Sequence, residues 1–185
     1  MSRIERLLAN FRRHVSLEWE RHLAGPQKVW FAVYPPSEER RLRLHVEEFG
    51  IATREAQHGW KLVDLTDAFP QWMAQLDYRD AYFAEPELLK GTVSSFLSTI
   101  TGQLRQALTD SDADDCTVVA VLGVGTLFGQ ARVSDLVGAV ASSIRGRLLV
   151  FFPGSFESGI YRLLDARDGW NYMAVPITSD ERELG

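Results

Sequence analysis

Thr117-Val-Val-Ala-Val-Leu-Gly-Val-Gly125 decides the fold. Its first six residues are an apolar run rich in β-branched side chains, of strand length, and two glycines close it. Further on, Val133, Leu136, Val137, Val140, Ala141 and Ile144 recur at helical spacing, with Gly146 placed to stop the helix. Arg147-Leu-Leu-Val-Phe-Phe152 then repeats the apolar run. A strand that is hydrophobic throughout, without alternation, has both faces covered, which is the pattern of a parallel sheet. Strand, crossover helix and strand together predict an α/β fold.

The same pattern extends in both directions. Lys28-Val-Trp-Phe-Ala-Val-Tyr34, closed by Pro35-Pro36, and Trp60-Lys-Leu-Val-Asp-Leu65 read as strands, and Tyr172-Met-Ala-Val175 as a fifth. Ile4, Leu7, Leu8, Phe11 and Val15 lie among Arg3, Arg6, Arg12 and Arg13, predicting an amphipathic helix. Ser37, followed by Glu38 and Glu39, starts a helix with the stripe Leu42, Val46 and Phe49, ended by His58-Gly59. Thr66-Asp67 caps a helix running to about Gln75. Pro86 opens a long helix whose stripe is Leu89, Val93, Phe96, Ile100, Leu104 and Leu108. Gly91 and Gly102 weaken it by about 1 kcal/mol each relative to Ala. The expectation is one α/β domain over 1–185. It has three layers, with helices on both faces of a mainly parallel five-stranded sheet, and resembles a P-loop-type core without a Walker A motif.

Composition narrows the class. The chain has 185 residues, 45% hydrophobic and 24% charged, which excludes disordered and fibrous proteins. One cysteine, Cys116, forbids an internal disulfide and any multi-cysteine zinc site. No apolar run reaches the roughly 18 residues of a membrane span. The first fourteen residues interrupt their apolar positions with arginines too often for a signal peptide, so a cytoplasmic protein is expected. Residues 1–43 hold nine basic against five acidic side chains, and residues 44–185 eleven against twenty. Only the N-terminal third offers a basic face, and a weak one, and the acidic remainder speaks against direct nucleic-acid binding.

In sheets of this kind sites form beyond the carboxyl ends of the strands. Gly123-Val-Gly-Thr-Leu-Phe-Gly129 occupies such a place. It has no Lys for a Walker A loop, and its third glycine comes one residue late for the Rossmann spacing. Tight turning and close packing explain these glycines, with a degenerate nucleotide-binding switch as the rival. Asp64 and Asp67 read as caps for the following helix rather than metal ligands. Cys116 sits among Asp112, Asp114 and Asp115, whose charge disfavours a thiolate. His14, His22, His45 and His58 have no metal-binding spacing. Asp165-Ala-Arg-Asp-Gly-Trp-Asn-Tyr172 reads as a polar turn rather than a charged clamp. No catalytic residue, cofactor or metal is expected.

Two aromatic clusters stand out. Phe69 to Phe83 holds five aromatics in fifteen residues, where the chain average of 11% gives one or two. A second runs from Phe151 and Phe152 through Phe156 to Tyr161. Both begin at carboxyl ends of strands, and Trp, Tyr and Arg are the usual interface anchors. The expected partner surface is therefore Phe69, Trp72, Tyr78, Arg79, Tyr82 and Phe83, with Phe156 beside them. The competing expectation is that the rings roof the core.

Several islands carry a family likeness. His14-Val-Ser-Leu-Glu-Trp19, Lys28 to Tyr34, His58-Gly-Trp-Lys-Leu-Val-Asp-Leu-Thr-Asp-Ala-Phe69 and Tyr78-Arg-Asp-Ala-Tyr-Phe83 resemble BrxB, the small α/β component of bacterial BREX systems that defend against bacteriophage. So do Leu122 to Gly129, Arg147-Leu-Leu-Val-Phe-Phe-Pro-Gly154 and Leu163 to Tyr172, in matching order along the chain. The resemblance implies a non-enzymatic adaptor in an assembly with PglZ, an alkaline-phosphatase-like protein, a methyltransferase and a large ATPase. PglZ is the expected partner, and self-association is left open. The family has no catalytic motif to transfer. A DNA contact through Arg3, Arg6, Arg12 and Arg13 stands as a further alternative.

Overall fold

The computed structural model describes residues 1–164, 166–167 and 173–180. Helix α1 (Arg3–Val15) begins with Ser2, whose hydroxyl accepts from the Glu5 amide while the Glu5 carboxylate accepts from the Ser2 amide. That reciprocal pair satisfies two amides a helix start leaves free. Strands β1 (Val29–Tyr34), β2 (Gly59–Asp64), β3 (Thr117–Leu122) and β4 (Arg147–Glu157) alternate with α2 (Glu39–Glu55), α3 (Ala68–Ala74), α4 (Arg79–Ala84), α5 (Val93–Thr109) and α6 (Val133–Val140). Hairpin strands β5 (Ile160–Leu163) and β6 (Ala166–Arg167) follow, then β7 (Val175–Ile177).

The parallel sheet has the order β2-β3-β4-β1-β7. Every residue of β1 and β3 is buried, as their unbroken apolar runs require. Alternate side chains serve opposite faces. Trp30, Ala32 and Tyr34 pack with α1 and α2, whereas Val29, Phe31 and Val33 pack with α3, α5 and α6. Edge strand β2 is more exposed, with Leu62 at 42%. The α/β architecture with five parallel strands and helices on both faces is thus present. No helix among the described residues is long and apolar enough to cross a membrane.

Several local expectations are corrected. The fifth strand is Val175–Ile177 rather than Tyr172–Val175; Tyr172, like the turn residues Asp165 and Asp168 to Asn171, lies outside the described residues. Strand β4 does not stop at Phe152 but runs to Glu157 and turns back through Ser158 and Gly159 into β5. Both turn residues have positive φ, 52° and 77°, as a type I′ hairpin needs. A Cβ at Gly154 would lie 1.8 Å from the Arg162 carbonyl oxygen, so only glycine lets the hairpin close. Ser37 does not cap α2, because a 3-10 turn over Pro36–Glu38 precedes it. Pro86 opens a separate 3-10 turn, Pro86–Gly91, and α5 starts only at Val93. Helix α6 ends at Val140, and a 3-10 turn, Ala141–Ser143, carries the chain out before Gly146 is reached.

Candidate functional site

Strand β1 sends its chain to α2 on one face, and β3 sends its chain towards α6 on the other. A crevice of about 320 Å³ opens between them, lined by Pro36, Glu39, Arg43, Thr66, Gly125 and Pro153. Its polar groups bond to one another. Tyr34 donates its hydroxyl to Glu39 Oε2 at 2.5 Å, and Arg43 Nε donates to Glu39 Oε1 at 2.8 Å. Arg43 also donates to Thr66 Oγ1 at 2.9 Å and stands 3.9 Å from Asp64. Burial first, and the Glu39 carboxylate next, push the Tyr34 phenol well above its ordinary range.

Asp64 accepts from both the amide and the hydroxyl of Thr66, turning the chain out of β2. Neither Asp64 nor Asp67 caps α3 with its side chain, which corrects the capping expectation. Gly123 has φ +83°, and a Cβ there would lie 2.5 Å from the Thr66 amide nitrogen. Its glycine serves the turn and this close approach. One guanidinium faces two carboxylates in the crevice, an electrostatic setting opposed to phosphate. The three lysines lie elsewhere: Lys28 on the carbonyls of Ile144 and Arg145, Lys61 on Asp110 and Asp112, Lys90 on Glu87. Nothing here adds to the P-loop likeness.

The second concavity has the opposite character. An apolar groove of about 370 Å³ runs between α3, α4 and the 3-10 turn Pro86–Gly91. Phe69, Met73, Arg79, Tyr82, Phe83 and Leu89 form its walls. Phe83 is 71% exposed. Arg79 reaches back to donate to the Ala74 carbonyl at 3.1 Å, which ties α4 to the end of α3. Neither α4 nor the 3-10 turn contains a buried residue. Across residues 67–90, Asp67, Asp77, Asp80, Glu85 and Glu87 are exposed, against Arg79 and Lys90.

Of the aromatic surface expected from the sequence, Phe69, Arg79, Tyr82 and Phe83 meet in this groove, and Tyr78 is exposed next to Arg79. Trp72 does not belong to it. Its ring is buried, 5.7 Å from Phe69 and 5.4 Å from Phe96. Phe156 lies on the β4–β5 hairpin against Tyr161, at 4.5 Å, and lines no part of the groove. The second aromatic cluster is largely core, with Phe31, Phe152 and Tyr161 packed together. Met73 and Leu89 went unassigned as groove residues; Met73 stands one turn after Phe69 on α3, and that i, i+4 spacing marks the shared face.

The remaining candidates are dispersed. Partial burial first, and then the charge of Asp115, push the Cys116 thiol up, away from nucleophilic use. Arg3, Arg6, Arg12 and Arg13 are all exposed on α1, but Arg12 stands 3.7 Å from Glu55 and Arg13 bonds Asn10. With Glu47, Glu48 and Glu55 exposed on the adjacent α2, this face is mixed rather than basic. No family model, curated protein or solved structure matches the chain.

Proposed function

We propose that the protein is a non-enzymatic adaptor that holds another protein on the groove between α3, α4 and the Pro86–Gly91 turn. The observation that carries this reading is the exposed Phe83 beside a concavity walled by apolar side chains. An aromatic ring left in water next to a preformed apolar groove is the arrangement of an interface anchor. The excess of exposed acids in residues 67–90 favours a partner whose apolar contact is flanked by basic residues.

The sequence resemblance to BrxB makes a PglZ-like protein of a BREX phage-defence assembly the partner we propose, in the cytoplasm. The test is a pull-down of the tagged chain against each BREX protein, repeated with Phe83→Asp. Capture of the PglZ-like protein by the wild type, lost in the variant, is the expected result. Equal capture by both would place the interface elsewhere, and capture of none would remove the adaptor reading.

A further inference from the structure

The two edges of the parallel sheet are finished differently. Strand β7, at one edge, has three residues with Pro176 at its centre. A short edge strand containing a residue without an N–H discourages further pairing. Strand β2, at the other edge, has six residues and no proline. The amides of Gly59 and Leu65 donate to the carbonyls of Cys116 and Leu122, at 3.0 and 2.8 Å. Successive residues of a strand turn their N–H and C=O to opposite edges, so Gly59, Lys61 and Val63 face β3. Trp60, Leu62 and Asp64 therefore turn theirs to the open edge. Among the described residues no backbone group pairs with those three.

The side chains along this edge leave one apolar point uncovered. Trp60 packs into the layer of α1 and α2, and Val63 into the layer of α3, α5 and α6. Leu62 shares the face of Trp60 and is 42% exposed. Charges often guard such an edge, but here they are tied back. Lys61 donates to Asp110 and Asp112, and the Asp64 carboxylate accepts from Thr66.

The three outward residues are symmetric about Leu62. A two-fold axis at Leu62 brings a second β2 alongside, antiparallel, with Leu62 opposite Leu62 and Trp60 opposite Asp64. Each is then a hydrogen-bonded pair, so every outward N–H meets an outward C=O, and the two Leu62 side chains cover one another. Lys61 falls beside Val63, so no like charges stand opposite in the strands. Arg43 is 3.9 Å from Asp64, and a Cβ at Gly50 would lie 2.9 Å from Trp60 Nε1, so α2 runs antiparallel to β2. Arg54, one turn beyond Gly50, is half exposed in its pair with Glu47. The axis turns the Arg54 end of one α2 towards the end of the other where Arg43 meets two carboxylates, Glu39 and Asp64, which is a match of charge.

The geometry points to a symmetric dimer in which β2 pairs antiparallel with β2 of a second copy and joins the two sheets into one. None of Trp60, Leu62 and Asp64 lines the groove proposed for the protein partner. Sedimentation velocity over a dilution series should show a monomer–dimer equilibrium with a Kd of about 10 μM. Amide hydrogen exchange resolved to single residues reports the surface used. Lys61 and Val63 should be protected by β3 at every concentration. Trp60, Leu62 and Asp64 should exchange freely in dilute solution, and about fivefold more slowly at roughly ten times the Kd.

Leu62→Lys sets like charges against each other at the axis and should weaken the dimer about tenfold or more. Leu62→Pro removes the N–H at the axis but no bond to β3, and should act in the same direction. The lysine variant keeps the test open if the proline variant fails to fold. The proposal is overturned by a chain that stays monomeric, or by a dimer in which Trp60, Leu62 and Asp64 exchange as in the monomer. A Leu62→Lys variant that dimerises as tightly as the wild type overturns it equally.

Discussion

Arg43 stands one turn after Glu39 on α2 and donates to its carboxylate at 2.8 Å, while the same guanidinium reaches Thr66 beyond the end of β2. The crevice where an α/β sheet would receive a ligand therefore has its cation already engaged. Calorimetry with ATP or GTP plus magnesium should show no micromolar binding. An affinity of that order, about −8 kcal/mol, would restore the nucleotide-switch reading.

Phe83 and Trp72 should behave oppositely although both belong to one aromatic segment. Phe83→Ala removes an exposed ring and should change stability by no more than about 0.5 kcal/mol. Trp72→Ala empties a buried site beside Phe96 and should cost about 3–5 kcal/mol. Urea unfolding of the two variants checks this, and a destabilised Phe83→Ala would mean that its ring supports the core.

Glycines separate into required and dispensable ones. Gly123→Ala forces a side chain into a positive-φ turn and against the Thr66 backbone, and should destabilise by about 1–3 kcal/mol or more. Gly102 and Gly138 are exposed within α5 and α6, and a Cβ at either meets nothing within 4 Å. Replacing either with Ala should stabilise by about 0.5–1 kcal/mol. Thermal midpoints rank all three, and a stabilising Gly123→Ala would contradict the geometry at the end of β3.

Acid should loosen the fold through His14. Burial first, and the charge of Arg147 second, hold its imidazole below the ordinary value of 6.5. The unfolded chain then binds a proton that the folded chain resists, so stability rises with pH across this interval. The loss begins as pH falls through 6.5 and grows until the depressed folded value is reached. His14→Gln should flatten the difference in urea midpoint between pH 7.5 and 5.5, both about one unit from that value. An identical slope in the variant would show that His14 is not the group responsible.

The parallel strands were legible because burial on both faces leaves an unbroken apolar run, as in Thr117–Leu122. The β4–β5 hairpin was hidden by Pro153-Gly154, which reads as a break. Pro153 nevertheless continues the strand beside Tyr34, and Gly154 gives room to the Arg162 carbonyl. The end of α2 was misplaced because Gln57, not Gly59, takes the positive φ of 65°. Strand order has no local signature. Aromatic density found four of the groove residues, but it failed to separate Trp72 from Phe83. What distinguishes them is contact with Phe96, a residue supplied by α5 and remote in sequence.

Strand β1 lies between β4 and β7, and both neighbours come from the last part of the chain. During synthesis, Val29 to Tyr34 emerges from the ribosome early, yet its first hydrogen-bonded neighbour begins only at Arg147. Helices α1 and α2 can shield one face of the nascent strand, but its edges stay unpaired until β4 arrives. Parallel pairing at such sequence distance is slow, and an unpaired hydrophobic strand is prone to associate with other chains. Until residue 147 has been synthesised, β1 therefore has neither of the strands that cover its edges in the folded sheet.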